Sequence, residues 1–138
     1  MLFATLLAAC SSGPYKTRLM VTGGDRLNPT FDDQPSAVPI RIVQLKDKQA
    51  FLSATEEELF GEDLKKQSWV IAYQEGKVRV SLEREIEIEI QPEVRFLGIV
   101  GMFNETDGEW KAVIDCNDLD EQKLVFDGYR FSAEPRDS

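Results

Sequence analysis

Histidine does not occur in this chain of 138 residues. Its absence removes the commonest general acid and base of neutral pH and the commonest zinc ligand together. Serine has no imidazole to activate it, and no Gly-x-Ser-x-Gly elbow occurs. Cysteine is nearly as scarce: Cys10 and Cys116 allow at most one disulfide. Positive charge is short too, with 16 Lys and Arg against 25 Asp and Glu and a net charge of −9. The first fifteen residues carry no charge, so the rest of the chain holds the whole imbalance. Nucleic acid is excluded as a partner, since its phosphates demand Lys and Arg. The same deficit argues against a polybasic patch on anionic lipid. It is compatible with a basic partner, and it also serves solubility. No run of 18 apolar residues exists to cross a membrane as a helix. Carboxylate pairs could act as acid and base, but with 25 acidic residues chance pairs abound, and no enzyme is expected.

What is present describes one folded domain. Apolar residues make up 42% and charged residues 30%, the balance of an ordinary globular protein rather than a disordered one. A chain this long buries roughly two-thirds of its unfolded surface, enough for a core without disulfides.

The first nine residues, Met1 to Ala9, are apolar except for Thr5 and read as the h-region of a secretory signal. They end in Leu7-Ala8-Ala9-Cys10, which resembles the bacterial lipobox. That likeness implies cleavage before Cys10 and acylation of the cysteine, and a multiply acylated terminus anchors stably. Ser11 to Pro14 read as a polar tether, and Tyr15 to Ser138 as the folded domain. Ser11 stands where an Asp would resemble an inner-membrane retention signal, which directs the expectation to the periplasmic face of the outer membrane. No Lys or Arg precedes the apolar run and nine residues is short, so the true start is expected upstream of Met1. With Cys10 lipidated, Cys116 is left as a buried, inert thiol among Asp115, Asp118, Asp120 and Glu121.

From Tyr15 onwards period-two alternation dominates, which means strands. The runs are Tyr15 to Thr22, Val38 to Lys46, Ser68 to Tyr73 closed by a turn at Glu75-Gly76, and Val78 to Ile90. Arg84 interrupts the apolar face of that last run, which is therefore two strands or one bent strand. Val94 to Phe103 is apolar nearly throughout and reads as a central strand covered on both faces. A hairpin signal at Asp107-Gly108 precedes Trp110 to Cys116, and Lys123 to Phe131 completes seven or eight strands.

One helical insertion falls between the second and third strands. Asp47 is placed to cap a helix over Lys48 to Ala54, and Thr55-Glu56-Glu57-Glu58 matches a capping box with Gly61 as its stop. The pattern as a whole predicts an all-β, two-sheet β-sandwich with a short helical insertion. The connection from Gly23 to Ala37 is long for such a domain, and long loops are functional or disordered. Phe31 within it fits either an interface anchor or a ring folded back on the domain. Glu85, Glu87 and Glu89, and the cluster from Asp115 to Glu121, hold oxygen ligands suited to Ca²⁺; the plainer reading is a solvated strand face and an acidic loop.

Several stretches resemble one known family. They are Leu27-Asn28-Pro29, Pro35-Ser36, Ile40 to Asp47 with Ala50-Phe51, Arg95 to Phe103, and Trp110-Lys111. In that order and spacing they resemble TssJ, the outer-membrane lipoprotein of the type VI secretion system. Gln34, Ala37, Val43 and Asn104 depart from its usual Arg, Pro, Tyr and Arg. The resemblance implies a transthyretin-like sandwich, attachment to outer-membrane lipid through Cys10, and binding of the periplasmic C-terminal domain of the inner-membrane protein TssM. It places that contact in the loop between the first two strands. Leu27, Asn28, Pro29, Phe31, Asp32 and Asp33 are the residues expected there, with turn chemistry as the plainer role of Asn28-Pro29. Neither a cofactor nor a metal is implied. The alternative is a generic periplasmic lipoprotein binding a small ligand or calcium through acidic loops. Transthyretin-related hydrolases share the implied fold but depend on histidines, which this chain lacks.

Overall fold

The computed structural model describes residues 13–136. The signal segment, Cys10 and the first part of the tether lie outside them. Eight strands form two four-stranded sheets, with the helical insertion between the second and third strands. The first sheet has the order β4-β1-β7-β8, built from Glu83–Ile90, Tyr15–Gly23, Gln122–Asp127 and Arg130–Pro135. The second has the order β3-β2-β5-β6, from Val70–Val78, Val38–Leu45, Phe96–Gly101 and Lys111–Asp115. All pairings are antiparallel except β1 with β7.

The inner faces meet in one core. Leu19 and Val21 of β1, Ile40 and Ile42 of β2, Ile86, Ile88 and Ile90 of β4, Leu97 and Ile99 of β5, and Phe126 of β7 are all buried there. Their even spacing is the period of a strand with one face inward.

A second core explains why β2 and β5 are apolar on both faces. Val43, Leu45 and Val100 point outward from the second sheet and are covered by Phe51, Leu59 and Leu64 of the insertion. The insertion comprises α1 (Lys48–Ser53), α2 (Glu56–Phe60) and a 3-10 turn at Leu64–Lys66. Asp47 caps α1 by accepting from the N–H groups of Gln49 and Ala50, and Thr55 and Glu58 form the expected capping box on α2. Phe51 packs closely on Gly98, where a Cβ would stand 2.5 Å from its ring. Arg41 is 7% exposed and closes α2 by donating to the carbonyls of Leu59 and Gly61, at 3.0 and 2.6 Å. Lys111 donates likewise to the carbonyls of Leu52 and Ala54 at the C-terminal end of α1, and loss of hydration lowers its pKa. Gln44 bridges the sheets, donating to Glu89 O and accepting from Gln91 N.

Three expectations about strands need correction. Glu75-Gly76 is no turn: β3 runs through it to Val78, and Gly76 pairs with Ile40. A Cβ at Gly76 would stand 3.3 Å from Ile86 Cδ1, so the glycine serves packing between the sheets. The chain reverses instead between Val78 and Glu83, before Arg84, with Ser81 at φ 54°. Lys123 to Phe131 is two strands, β7 and β8, folded about Gly128 at φ 58°. The Asp127-Gly128 pair carries the same hairpin signal that was read at Asp107-Gly108.

Candidate functional site at the loop end of the sandwich

The β1–β2 connection crosses one end of the sandwich and is fixed from beneath. Leu27 is fully buried in the main core. Asn28, 2% exposed and at φ 46°, is the hub. Its Nδ2 donates to Ala37 O at 3.1 Å, and its Oδ1 accepts from Asn104 N at 2.8 Å. Its backbone N–H donates to Gly128 O at 2.7 Å, and its carbonyl accepts from Ser36 Oγ at 2.6 Å. Pro29 O accepts from Tyr129 Oη at 2.8 Å and from Asn104 Nδ2 at 3.2 Å. Thus the β5–β6 connection, the β7–β8 turn and this loop form one hydrogen-bonded surface. The β3–β4 turn joins it through Ser81 Oγ, which donates to Asp25 at 2.6 Å.

Above this base the chain makes a tight crest. Thr30 N donates to Gln34 O and Asp33 N to Thr30 O, both at 2.8 Å. Asp33 takes φ 61°, a left-handed conformation that Asp tolerates. Phe31 stands on the crest with its whole surface in solvent, 104% exposed. Asp32 and Asp33 are exposed beside it. The Tyr129 phenol has its pKa raised by loss of hydration, then by the carboxylates of Glu105, Asp33 and Asp107, which surround it.

The six residues expected at an interface therefore divide. Phe31, Asp32 and Asp33 present surface, and Pro29 is half-buried. Leu27 and Asn28 have almost none to present; they hold the loop in shape. Sequence reasoning missed Asn104 and Tyr129, because only the fold brings them 75 to 100 positions along the chain to Asn28 and Pro29.

A family model described as Type VI secretion lipoprotein, VasD, EvfM, TssJ matches residues 15–127. The chain belongs to that family. The fold is shared with TssJ1 from Pseudomonas aeruginosa, at TM-score 0.76 and 21% identity over 91% of this chain and 98% of that one. It is shared equally with Serratia marcescens Lip, a membrane-bound component of the type VI secretion system, at TM-score 0.79 and 15% identity over 91% and 99%. A chain in a structure described as the TssM C-terminal domain (869-1107) from EAEC matches at TM-score 0.75 and 23% identity, over 88% and 98%. Comparison with curated proteins finds no match.

Membership in the TssJ family gives the motif residues their meaning. Arg41, Gln44 and Asp47 of the Ile40-to-Asp47 stretch are structural, as capping and bridging groups. Asn104, a departure from the family pattern, is here a principal support of the β1–β2 loop. The family is one of type VI secretion lipoproteins. Cys116, expected to be buried, is half-buried. Burial first, and the Asp115 carboxylate second, push its thiol up to about 11. With Cys10 acylated or replaced by Ser, alkylation of Cys116 is expected to be slow at neutral pH. Its rate should climb towards pH of about 11 in the folded chain, and level off near 9 only after unfolding. A thiol already reactive at neutral pH would contradict the structure.

Proposed function

We propose that this chain is an assembly module of the type VI secretion envelope complex. Anchored through Cys10 to the periplasmic face of the outer membrane, it binds the periplasmic C-terminal domain of TssM with the Phe31 crest. The observation that carries this reading is a fully exposed aromatic ring on a loop that the rest of the domain holds rigid. Exposed aromatics on preorganised supports are the usual anchors of protein interfaces, because little ordering entropy opposes the contact. The carboxylates of Asp32, Asp33, Glu105 and Asp107 suit a partner whose pocket for Phe31 has a basic rim. Further support comes from the like-folded chain in the TssM C-terminal domain structure. This short chain covers nearly all of it, so the matched chain is only about half as long as the 869-1107 span.

The test is calorimetric titration of the soluble domain with the periplasmic domain of TssM from the same source. Replacing the whole connection would remove Leu27 from the core, so the informative change is confined to the crest. Phe31→Ala is expected to weaken binding by about thirtyfold or more, the roughly 2 kcal/mol of a hot-spot aromatic, with thermal stability unchanged. An intact domain that does not bind would overturn the reading. Binding indifferent to Phe31→Ala would move the site elsewhere.

A further inference from the structure

The chain as a whole is too acidic to favour an anionic surface, yet the fold gathers an unpaired basic and aromatic cleft at the end opposite Phe31. The end of β2 and the starts of β3 and β5 meet there. Lys46, Asp47, Lys48, Ser68, Trp69 and Phe96 line an open cleft of about 520 Å³. The ammonium of Lys48 lies 4.4 Å from the centre of the Phe96 ring, and the Arg95 guanidinium 5.6 Å from it. Trp69 is set edge-on against Phe51 at 6.2 Å, which fixes its indole as a wall. Lys46, Lys48 and Arg95 are exposed, and none joins an ion pair among the described residues. The one carboxylate of the lining, Asp47, is occupied by the N–H groups of Gln49 and Ala50. Within the Ile40-to-Asp47 stretch, Arg41, Gln44 and Asp47 have structural tasks. The side chain of Lys46 has no hydrogen bond or ion pair among the described residues.

This is the end from which the anchor leaves. Tyr15 opens β1 five residues after Cys10, a reach of roughly 15–20 Å when extended. The Tyr15 phenol lies beside the Cys116 thiol, and Cys116 N donates to Arg95 O at 2.8 Å. The root of the tether therefore lies near the strand end that carries Arg95 and Phe96. Acidic groups stand close by as well: Asp115 is the cross-strand partner of Phe96, and Asp120 acts on Tyr15, with Asp118 and Glu121 in the same turn. A negatively charged surface therefore favours only the orientation that leads with Lys46, Lys48 and Arg95.

We propose that the cleft receives the phosphate headgroups of anionic phospholipid in the membrane that holds Cys10, leaning the domain so that the Phe31 end faces away from the bilayer at a set angle. The proposal rests on the lipoprotein reading of this chain. Two lysines and an arginine match phosphate in charge and geometry, and Trp69 and Phe96 suit the headgroup level, where aromatics concentrate. The cleft is of a size that holds a small polar group. Each basic residue near an anionic surface strengthens attachment roughly fivefold. Against a net charge of −9, three such groups cannot recruit a free domain. A tethered one meets the surface continually, so the same groups decide its orientation.

The test uses the full chain, acylated at Cys10 and reconstituted into phosphatidylcholine vesicles with brominated acyl chains, with and without phosphatidylglycerol. Flotation reports the anchor, and quenching of tryptophan emission reports the orientation. Trp69 lines the cleft, whereas Trp110 packs against Phe60 in the β5–β6 connection and serves as the unquenched reference. The expected result is loss of up to half the emission, the share of one of the two indoles, in phosphatidylglycerol vesicles alone. It should disappear in Lys46→Gln/Lys48→Gln/Arg95→Gln, with the fold retained by circular dichroism, and in high salt. Equal quenching in both vesicle types, no quenching in either, or quenching that survives the triple substitution overturns the proposal while leaving the anchor intact. A chain that fails to float overturns the anchor, and the proposal with it.

Discussion

Replacing Asn28 by alanine is expected to cost roughly 2–4 kcal/mol of stability and to weaken partner binding with it. Two effects add. The amide of Asn28 donates to Ala37 O and accepts from Asn104 N, and each is left without that partner. Stranded polar groups of this kind cost about 1–3 kcal/mol together when they are only partly reached by water. In addition, Asn28 sits at φ 46°, where a Cβ without a polar end is disfavoured by about 1 kcal/mol. Asn28→Gly relieves the second effect and keeps the first, so it should fall between wild type and alanine. Denaturant midpoints of the three proteins give the order. Hydrogen exchange at Asn104 N, protected in the wild type, should speed up in both variants. Partner binding should fall although Asn28 touches nothing outside the domain, because Phe31 loses its rigid base. A stable Asn28→Ala protein with full binding would show that the loop keeps its shape by other means.

Phe51→Ala is expected to give the largest loss of stability, about 3–5 kcal/mol, without altering the binding end. Phe51 is fully buried and links the insertion to the sandwich. Its ring covers Gly98, packs edge-on against Trp69 and shares a cluster with Val43, Leu45, Leu59, Leu64 and Val100. The insertion has only short helices, which do not persist in water by themselves. Without the ring, α1 has little to keep it on the sheet, and the outer faces of β2 and β5 open to solvent. Gly98→Val attacks the same contact from the other side, since a Cβ would stand 2.5 Å from the ring. Thermal unfolding should show a comparable fall for both. On the function proposed above, binding of TssM by the folded fraction should match wild type, because the Phe31 crest lies at the end held by Asn28, Asn104 and Tyr129. Loss of binding in a still-folded Phe51→Ala protein would instead place the insertion in the interface.

Local chemistry determined much of this protein in advance. Alternation of apolar residues marks β1, β2 and β4, because one face of each strand is buried. Asp47 and the Thr55–Glu58 box mark the two helices, because caps act within four residues. The doubly apolar Val94 to Phe103 announced a covered central strand, and β5 occupies that place beneath Phe51. The family stretches followed the order of these same elements. Tertiary structure decided what depends on residues far apart in the chain. The parallel pairing of β1 with β7 joins positions about a hundred residues apart and leaves no local mark. Gly76 resembles a turn residue by itself and becomes a packing residue only once Ile40 and Ile86 stand against it. Leu27 and Phe31, four positions apart in one loop, take opposite fates: the sandwich end accepts one apolar side chain as a plug, and the crest leaves the other in water. Net charge, too, is a property of the whole chain, whereas the basic cleft exists only because three strand ends converge.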